Sequence, residues 1–292
     1  MPNLLLTISQ YTVEGRPTKL DTIFTICFWV ILFFVVEYSL LGVLNKFSNS
    51  LHAVFSTSLL NRKIISRHVG TDAFGCVTVA LLGLQSRKYL SQISKRFWDK
   101  NVVVANSYEK RMWDYVPQGQ RILTIFLAYQ VKNLYDSFVW NDGPEFIAHH
   151  ILAGSASWGG MYPGIGNTYG IFFMGISEVS TMVLVILANF DDELGVKGLA
   201  EAFPNLRVIF AGGFVVAFIA CRIVMWPWVS YCLLKDINSA LNNKEDKKAK
   251  SGRNWLIGIG FILGSLTLLQ FAWLMQIGVM GKEEMEKLGL LG

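Results

Sequence analysis

The segment NDGPEFIAHH, residues 141–150, places two adjacent histidines, His149 and His150, at the start of a long apolar stretch. Asp142, Pro144 and Glu145 stand just before them. Ionisable side chains are costly inside a membrane-like hydrophobic segment and are mostly retained there for function. The segment therefore predicts both a membrane fold and a functional role for the two histidines.

The composition of the whole chain predicts a membrane protein with several helical spans. Of its 292 residues, 52% are hydrophobic and 16% are charged, and the mean hydropathy is +0.40. In a typical soluble domain, about a quarter of the residues are charged. The deficit of charge and the repeated apolar runs are typical of an all-α, polytopic transmembrane helical bundle.

Seven apolar segments are candidates for membrane spans. A span needs about 20 apolar residues, so the second and fourth segments are short and require a buried position in the bundle. The seven predicted spans are 21–44, 70–85, 121–140, 145–161, 167–190, 206–234 and 255–278.

The charge of the loops predicts an orientation. The loops 86–119 and 235–254 are rich in lysine and arginine, whereas residues 191–195 read DDELG. With seven spans, both basic loops share a side with the N-terminus. The positive-inside rule then puts the N-terminus in the cytosol and the C-terminus outside. The basic segment 244–250 is either a solvated loop or a site for anionic lipid.

Several charged side chains within the predicted spans are further functional candidates. Glu178 lies near the middle of the fifth span and Arg222 near the middle of the sixth, so they are candidates for an ion pair between helices. Lys132 and Asp136 of the third span have the i, i+4 spacing that lets side chains pair on one helix. Glu37 lies late in the first span.

Asp142 and Glu145 have two open interpretations. Asp142 is spaced to cap the fourth helix, with Glu145 completing a capping box and Pro144 in the first turn. Alternatively, Asp142, Glu145 and His149 stand at i, i+3 and i+7, on one helix face.

The histidines also have several interpretations. They are interfacial residues bonded to backbone, or one of them joins a carboxylate in a metal site, although adjacent histidines are a poor i, i+4 chelate. The better chemical fit is a general base or acyl acceptor, because a carboxylate fixes the tautomer of an imidazole and stabilises its charged form. Adjacent helical residues point about 100° apart, so the two rings are expected to face different neighbours.

These residues resemble the TLC-domain proteins, a family of multi-pass membrane proteins of the endoplasmic reticulum that includes the ceramide synthases. NDGPEFIAHH is similar to the synthase segment in which acidic residues precede a double histidine. GISEVSTMV (175–183) resembles the motif of the next span, and Arg222, Pro227 and Trp228 resemble an Arg–x4–Pro–x–Trp segment. NRKIISRH (61–68) resembles, more loosely, the segment before the second span. The resemblance implies an N-terminal segment with the first span (1–59), a TLC-like core (60–235), and a basic loop, last span and tail (236–292).

The resemblance also implies a site. The family fold is a six-helix core around a lipid-sized cavity, into which polar residues face. In the synthases, one histidine of the pair is expected to take the acyl group from acyl-CoA, and a sphingoid base then accepts it. The implied catalytic residues are His149, His150, Asp142 and Glu178. The implied substrate-binding residues are Glu145, Ser177, Thr181, Arg222 and Trp228.

The fifth span departs from the synthase pattern. Where synthases carry His–Asp–x–x–Asp, this chain has Ser177, Glu178 and Thr181, so only one acidic position is kept. This departure favours a non-enzymatic lipid-binding, lipid-composition or trafficking factor. The alternative is a ceramide synthase-like N-acyltransferase that acts through His149 or His150.

Both functions predict an integral membrane protein of the endoplasmic reticulum whose partners are membrane lipids, with no nucleic acid, no metal and no bound cofactor. Acyl-CoA is a co-substrate only for the acyltransferase. An acyltransferase also needs a histidine that lines a cavity open to the cytosol and has a carboxylate within about 2.6–3.2 Å. A lipid-binding protein needs the cavity but not the carboxylate.

Overall fold

The computed structural model describes residues 15–93, 108–191 and 194–287, with side chains except at 280 and 283–287. Within those ranges every regular element is helical, and seven long helices carry the fold. They are α1 (Lys19–Lys46), α2 (59–85), α3 (Pro117–Trp140), α4 (Pro144–Met161), α5 (Asn167–Ala188), α6 (Pro204–Asn242) and α7 (Arg253–Lys287). Short helices connect them at Ser48–Ser50, Ala53–Ser56, Arg87–Gln92, Tyr108–Trp113, Leu199–Ala202 and Lys247–Ser251.

Four of these helices, α1, α5, α6 and α7, are long and apolar enough to cross a membrane. They match four of the seven predicted spans, and the prediction of an all-α membrane bundle is confirmed. The predicted second, third and fourth spans are helical as well, although α2 begins at Leu59 rather than at residue 70. That α2, α3 and α4 also cross the membrane stays a prediction.

Local sequence explains where several helices begin and end. At the start of α1, Thr18 and Asp21 form a reciprocal capping box. At the end of α3, Asn141 adopts a left-handed conformation with φ of 57°, which asparagine tolerates better than most residues. Gly143, with φ of 117°, then turns the chain, and Pro144 occupies the first turn of α4. This short reversal packs α3 and α4 side by side.

Three long helices contain a π-helical segment, and each segment lies at a buried polar side chain. In α2 the segment His68–Ala73 contains Asp72, and in α6 the segment Ile219–Met225 contains Arg222. In α5 the segment Phe172–Ile176 ends two residues before Glu178. A π-bulge adds a residue to one turn and is frequent at functional sites. These π-helical segments were not predicted from the sequence.

The helices pack closely around α3 and α5. Gly83 of α2 lies against the backbone of α5, where a methyl group would stand 2.7 Å from the amide nitrogen of Ile176. Glycine is therefore required at this crossing. Phe33, Tyr129 and Phe172 belong to the large apolar core of the bundle.

Three segments of the chain meet at one end of the bundle. At one end, the Arg16 guanidinium donates to the carbonyl oxygen of Trp113 at 3.0 Å, and the Tyr108 hydroxyl donates to Asp246 at 3.0 Å. The N-terminal segment, the start of α3 and the segment after α6 therefore lie together. We call this the basic end. The predicted shared side of these segments is confirmed, whereas its assignment to the cytosol stays a prediction.

Candidate functional site

The two histidines lie in the second turn of α4, at the end of the bundle opposite the basic end. The His150 Nδ1 lies 2.7 Å from Oε1 of Gln130 on α3. With the Gln130 amide oxygen facing the ring, Nδ1 of His150 is the donor of this hydrogen bond. His150 is thus anchored to a neighbouring helix by an amide rather than by a carboxylate.

His149 faces a different neighbour. Its ring centroid lies 5.4 Å from that of Trp273 on α7 and 5.4 Å from that of His150. Its Nδ1 is buried and has no hydrogen-bond partner among the described residues. The expectation that the two rings face different neighbours is confirmed.

Asp142 is occupied by an arginine of α2. The Arg67 guanidinium donates one hydrogen bond to Asp142 at 3.1 Å and forms a second, shorter ion pair with its other oxygen. The Ser137 hydroxyl also donates to it at 3.2 Å. This geometry is the bidentate arrangement that makes arginine–carboxylate pairs strong.

Both sequence interpretations of Asp142 are therefore wrong. The residue that caps α4 is Gly143, without a side-chain hydrogen bond, so no capping box forms. Because Asp142 precedes the helix, it does not share a helical face with His149. Glu145 is exposed at the first turn of α4, outside the buried polar groups.

Glu178 and Arg222 form the predicted ion pair between α5 and α6. The Arg222 guanidinium donates to the Glu178 carboxylate at 2.8 Å, and both side chains are 7% exposed. It also donates to the hydroxyls of Ser180 at 3.2 Å and Thr181 at 3.0 Å. Arg222 is thus the partner of both Thr181 and Glu178. Its positive charge compensates the negative charge of the Glu178 carboxylate.

The remaining candidates have structural contacts. The Ser177 hydroxyl donates to the carbonyl oxygen of Phe173 at 2.6 Å, one turn back along α5. Trp228 packs against the core, with its ring 6.2 Å from that of Tyr231.

A second buried network surrounds Lys132, whose side chain is 0% exposed. Its ammonium group donates to Asp136 at 2.5 Å and to Glu37 of α1 at 2.7 Å. The predicted i, i+4 pair is confirmed, and Glu37 extends it to a second helix. The Thr71 hydroxyl of α2 also donates to Glu37 at 2.8 Å.

At the basic end, Asp246 fixes the segment that leads into α7. Burial opposes ionisation of this carboxyl, but hydrogen bonds from the Ala249 amide, Tyr108 and Trp113 outweigh burial and lower its pKa. Burial raises the pKa of Tyr108 to about 12. Both groups keep their neutral-pH charge states, so the segment stays docked.

An apolar cavity of about 50 Å³ lies between α3, α4, α5, α6 and α7. It has room for one or two water molecules at about 30 Å³ each, and neither histidine lines it. A larger space of about 450 Å³ is an open groove lined only by α1 residues. This apolar cavity is too small for a lipid chain, and the polar candidates Asp142, Glu178 and Arg222 pair with other protein side chains. Among the described residues, no three histidine, cysteine or acidic side chains are grouped to hold a metal ion.

Sequence reasoning missed Arg67, Gln130 and Trp273. Arg67 stands in a quoted segment, but its partner lies 75 residues away, and no spacing rule reaches that far. Gln130 carries a polar amide within an apolar run of α3, and this contrast is a sequence signal for a buried polar contact.

Comparison with known proteins supports the assignment that the motifs suggested. The family model described as the TLC domain matches residues 71–278. No curated protein and no solved structure matches the chain. The family match spans α3 to α6 entirely, including the histidine pair and the Glu178–Arg222 pair. The chain therefore belongs to the TLC-domain family of membrane proteins.

Proposed function

We propose that this protein is a non-enzymatic lipid-binding factor that acts in membrane lipid homeostasis. One observation carries the proposal. The carboxylates that acyl transfer would need, Asp142 and Glu178, are each bound to an arginine. Within the described residues, neither imidazole has a carboxylate at hydrogen-bond distance.

The position of the histidines supports the same function. They begin α4 at the end of the bundle opposite the basic end. With the basic end in the cytosol, as the positive-inside rule proposes, the histidines lie far from the cytosolic supply of acyl-CoA. We assign the protein to the endoplasmic reticulum because of the family resemblance.

The second candidate function is ceramide synthase-like acyl transfer to a sphingoid-type amine. The observation that favours it is the free Nδ1 of His149. A free imidazole nitrogen is the form that acts as a base or nucleophile. The same nitrogen serves a lipid-binding site equally well, as a hydrogen-bonding group.

The test compares lipid binding with catalysis in one preparation. The full-length protein is reconstituted in nanodiscs that contain phosphatidylcholine and ceramide. It is then released from the nanodiscs in the mass spectrometer, and the lipids that stay bound to it are identified. Parallel samples receive a long-chain acyl-CoA and a sphingoid base, and the N-acyl product is measured. The variants are His149→Ala, His150→Ala and, as a control, His52→Ala, whose exposed ring lies before the short helix Ala53–Ser56.

We expect bound lipid and no N-acyl product from the wild type. His149→Ala should reduce lipid retention, whereas His52→Ala should not. Product that the wild type forms and His149→Ala does not form would replace the lipid-binding function with the acyltransferase function. A folded wild type that retains no lipid would also contradict the proposal.

A further inference from the structure

The segment between α6 and α7 concentrates positive charge at the basic end of the bundle. Residues 244–253 read KEDKKAKSGR, with five cationic side chains against two carboxylates. The positive-inside rule accounts for the side of the membrane on which such a segment lies. It does not account for a segment that is folded and docked against the bundle, which a solvated loop would not need.

The short helix Lys247–Ser251 is docked through its N-cap residue, Asp246. One carboxylate oxygen of Asp246 accepts a hydrogen bond from the Ala249 amide at 2.9 Å. The other accepts from the Tyr108 hydroxyl at 3.0 Å and from Nε1 of Trp113 at 3.2 Å. Ala249 is 4% exposed and packs into the core of the bundle. The short helix therefore has a fixed inner side, and its acidic cap faces the protein.

Lysine side chains occupy the outer side of this short helix. Lys247 and Lys250 stand three residues apart, so their side chains are neighbours on the helix surface. Each points at least about 100° away from the buried Ala249, and both are exposed. Lys244, before the helix, and Arg253, at the start of α7, are exposed as well. We call Lys244, Lys247, Lys250 and Arg253 the cationic face.

Exposed aromatic and apolar side chains place the cationic face beside the membrane surface. Where α6 and α7 meet this segment, they expose Tyr231 and Trp255, the residue types that collect at the membrane–water interface. Further along α7, Phe261 is 71% exposed, as expected for a side chain that faces lipid. Arg253 precedes Trp255 by about 3 Å along the helix axis. The cationic face therefore begins at the depth of the lipid headgroups.

We propose that the cationic face binds the anionic phospholipid headgroups of the leaflet that surrounds it. The negative charges of these headgroups complement the four cations, and the apolar surface of α7 keeps lipid chains next to them. Because Asp246 holds the short helix in place, binding does not have to order a flexible loop. This inference goes beyond the proposed function, since it concerns another class of lipid at the end of the bundle opposite the histidines.

The test uses photoreactive phospholipids on the full-length protein in nanodiscs. One probe is a phosphatidylserine analogue with a diazirine near its headgroup, and the other is the matching phosphatidylcholine analogue. Labelled positions are mapped by mass spectrometry, and the ratio of phosphatidylserine to phosphatidylcholine labelling is measured over residues 235–257. The variant Lys247→Gln/Lys250→Gln is compared with the control Lys46→Gln/Lys63→Gln, which removes the same charge from exposed residues at the other end of the bundle.

We expect phosphatidylserine to label these residues of the wild type more than phosphatidylcholine does. Lys247→Gln/Lys250→Gln should lower the labelling ratio about fivefold for each lysine, because a cation near an anionic surface contributes about 1 kcal/mol. The control variant should leave the ratio unchanged. Salt at about 1 M should lower the wild-type ratio, because the screening length falls to about 3 Å.

A second variant distinguishes a docked surface from a simple sum of charges. Asp246→Asn removes a negative charge, so a flexible basic loop would gain preference for phosphatidylserine. In the docked helix, the same change removes the carboxylate that accepts three hydrogen bonds. The labelling ratio should therefore fall in Asp246→Asn, and a rise would overturn the docked cationic face.

Three other results would also overturn the inference. Equal labelling ratios in the wild type and Lys247→Gln/Lys250→Gln would show that these lysines bind no anionic lipid. An equal fall in the control variant would show that only the total charge of the protein matters. Loss of labelling on addition of glycerophosphoserine, the free headgroup, would identify a site for soluble anions instead of a membrane surface. None of these results bears on the proposed function, whose measure is the lipid that the wild type retains and His149→Ala loses.

Discussion

Removing Arg222 while keeping Glu178 should destabilise the bundle strongly. In the Arg222→Met protein, the Glu178 carboxylate loses its 2.8 Å partner at a buried position, where the Glu178 side chain is 7% exposed. The hydroxyls of Ser180 and Thr181 lose their donor as well. Breaking a buried ion pair by removing one partner costs about 3–5 kcal/mol, and we expect a loss in that range.

The double variant Arg222→Met/Glu178→Gln should recover part of this loss, because it removes the uncompensated charge. Residues in direct contact show coupling energies of about 0.5–3 kcal/mol in double-mutant cycles, and this buried pair should lie at the upper end. The assay is reversible unfolding in mixed micelles, followed by circular dichroism, for the wild type, both single variants and the double variant.

The matched control is Arg121→Met, since Arg121 is exposed on α3. Surface substitutions usually change stability by less than about 0.5 kcal/mol. The reasoning is refuted if Arg222→Met is no more destabilising than Arg121→Met, or if the two single effects simply add. Either result would mean that the pair is screened by lipid headgroups or water.

Three further outcomes are expected. Lys132→Met should destabilise the protein by about 3–5 kcal/mol, because it removes the cation between Glu37 and Asp136 and leaves Asp136 with only Arg67, at 3.9 Å. Adding Asp136→Asn should recover part of the loss in the same unfolding assay. Gly83→Ala should lower the melting temperature, because α2 has no room for a methyl group against α5; an unchanged melting curve would contradict the close crossing. The folded protein lowers the pKa of Asp246, so the ionised carboxylate stabilises the fold fully above its unfolded pKa of about 4. This stabilisation is lost as pH falls through the lower folded pKa. Asp246→Asn should therefore speed hydrogen exchange at residues 108–113 at neutral pH, and equal exchange rates in the variant and the wild type would contradict the docking.

The helices of the bundle were predictable because their signals are local. Apolar runs marked all seven long helices, and the i, i+4 spacing marked the pair of Lys132 and Asp136. The pair of Glu178 and Arg222 was predictable for a different reason. Each is a charge near the middle of an apolar stretch, and two such charges of opposite sign need each other.

The contacts of the candidate site were harder to predict. The role of Asp142 depended on Arg67, which the fold brings from another helix, and on the left-handed turn at Asn141. Local spacing suggested a helix cap instead. The π-helical segments depend on packing against neighbouring helices and have no sequence signal in a single chain.

The central claim, that the protein binds lipid without chemically changing it, is tested most directly by the release of free coenzyme A. Any acyl transfer from acyl-CoA, whether to an amine, a hydroxyl or water, liberates its thiol, so the measurement does not depend on the acceptor. Wild-type protein with bound lipid in nanodiscs, given a long-chain acyl-CoA, should release no more thiol than His149→Ala does. Thiol release by the wild type that disappears in His149→Ala would contradict the account and establish an acyltransferase.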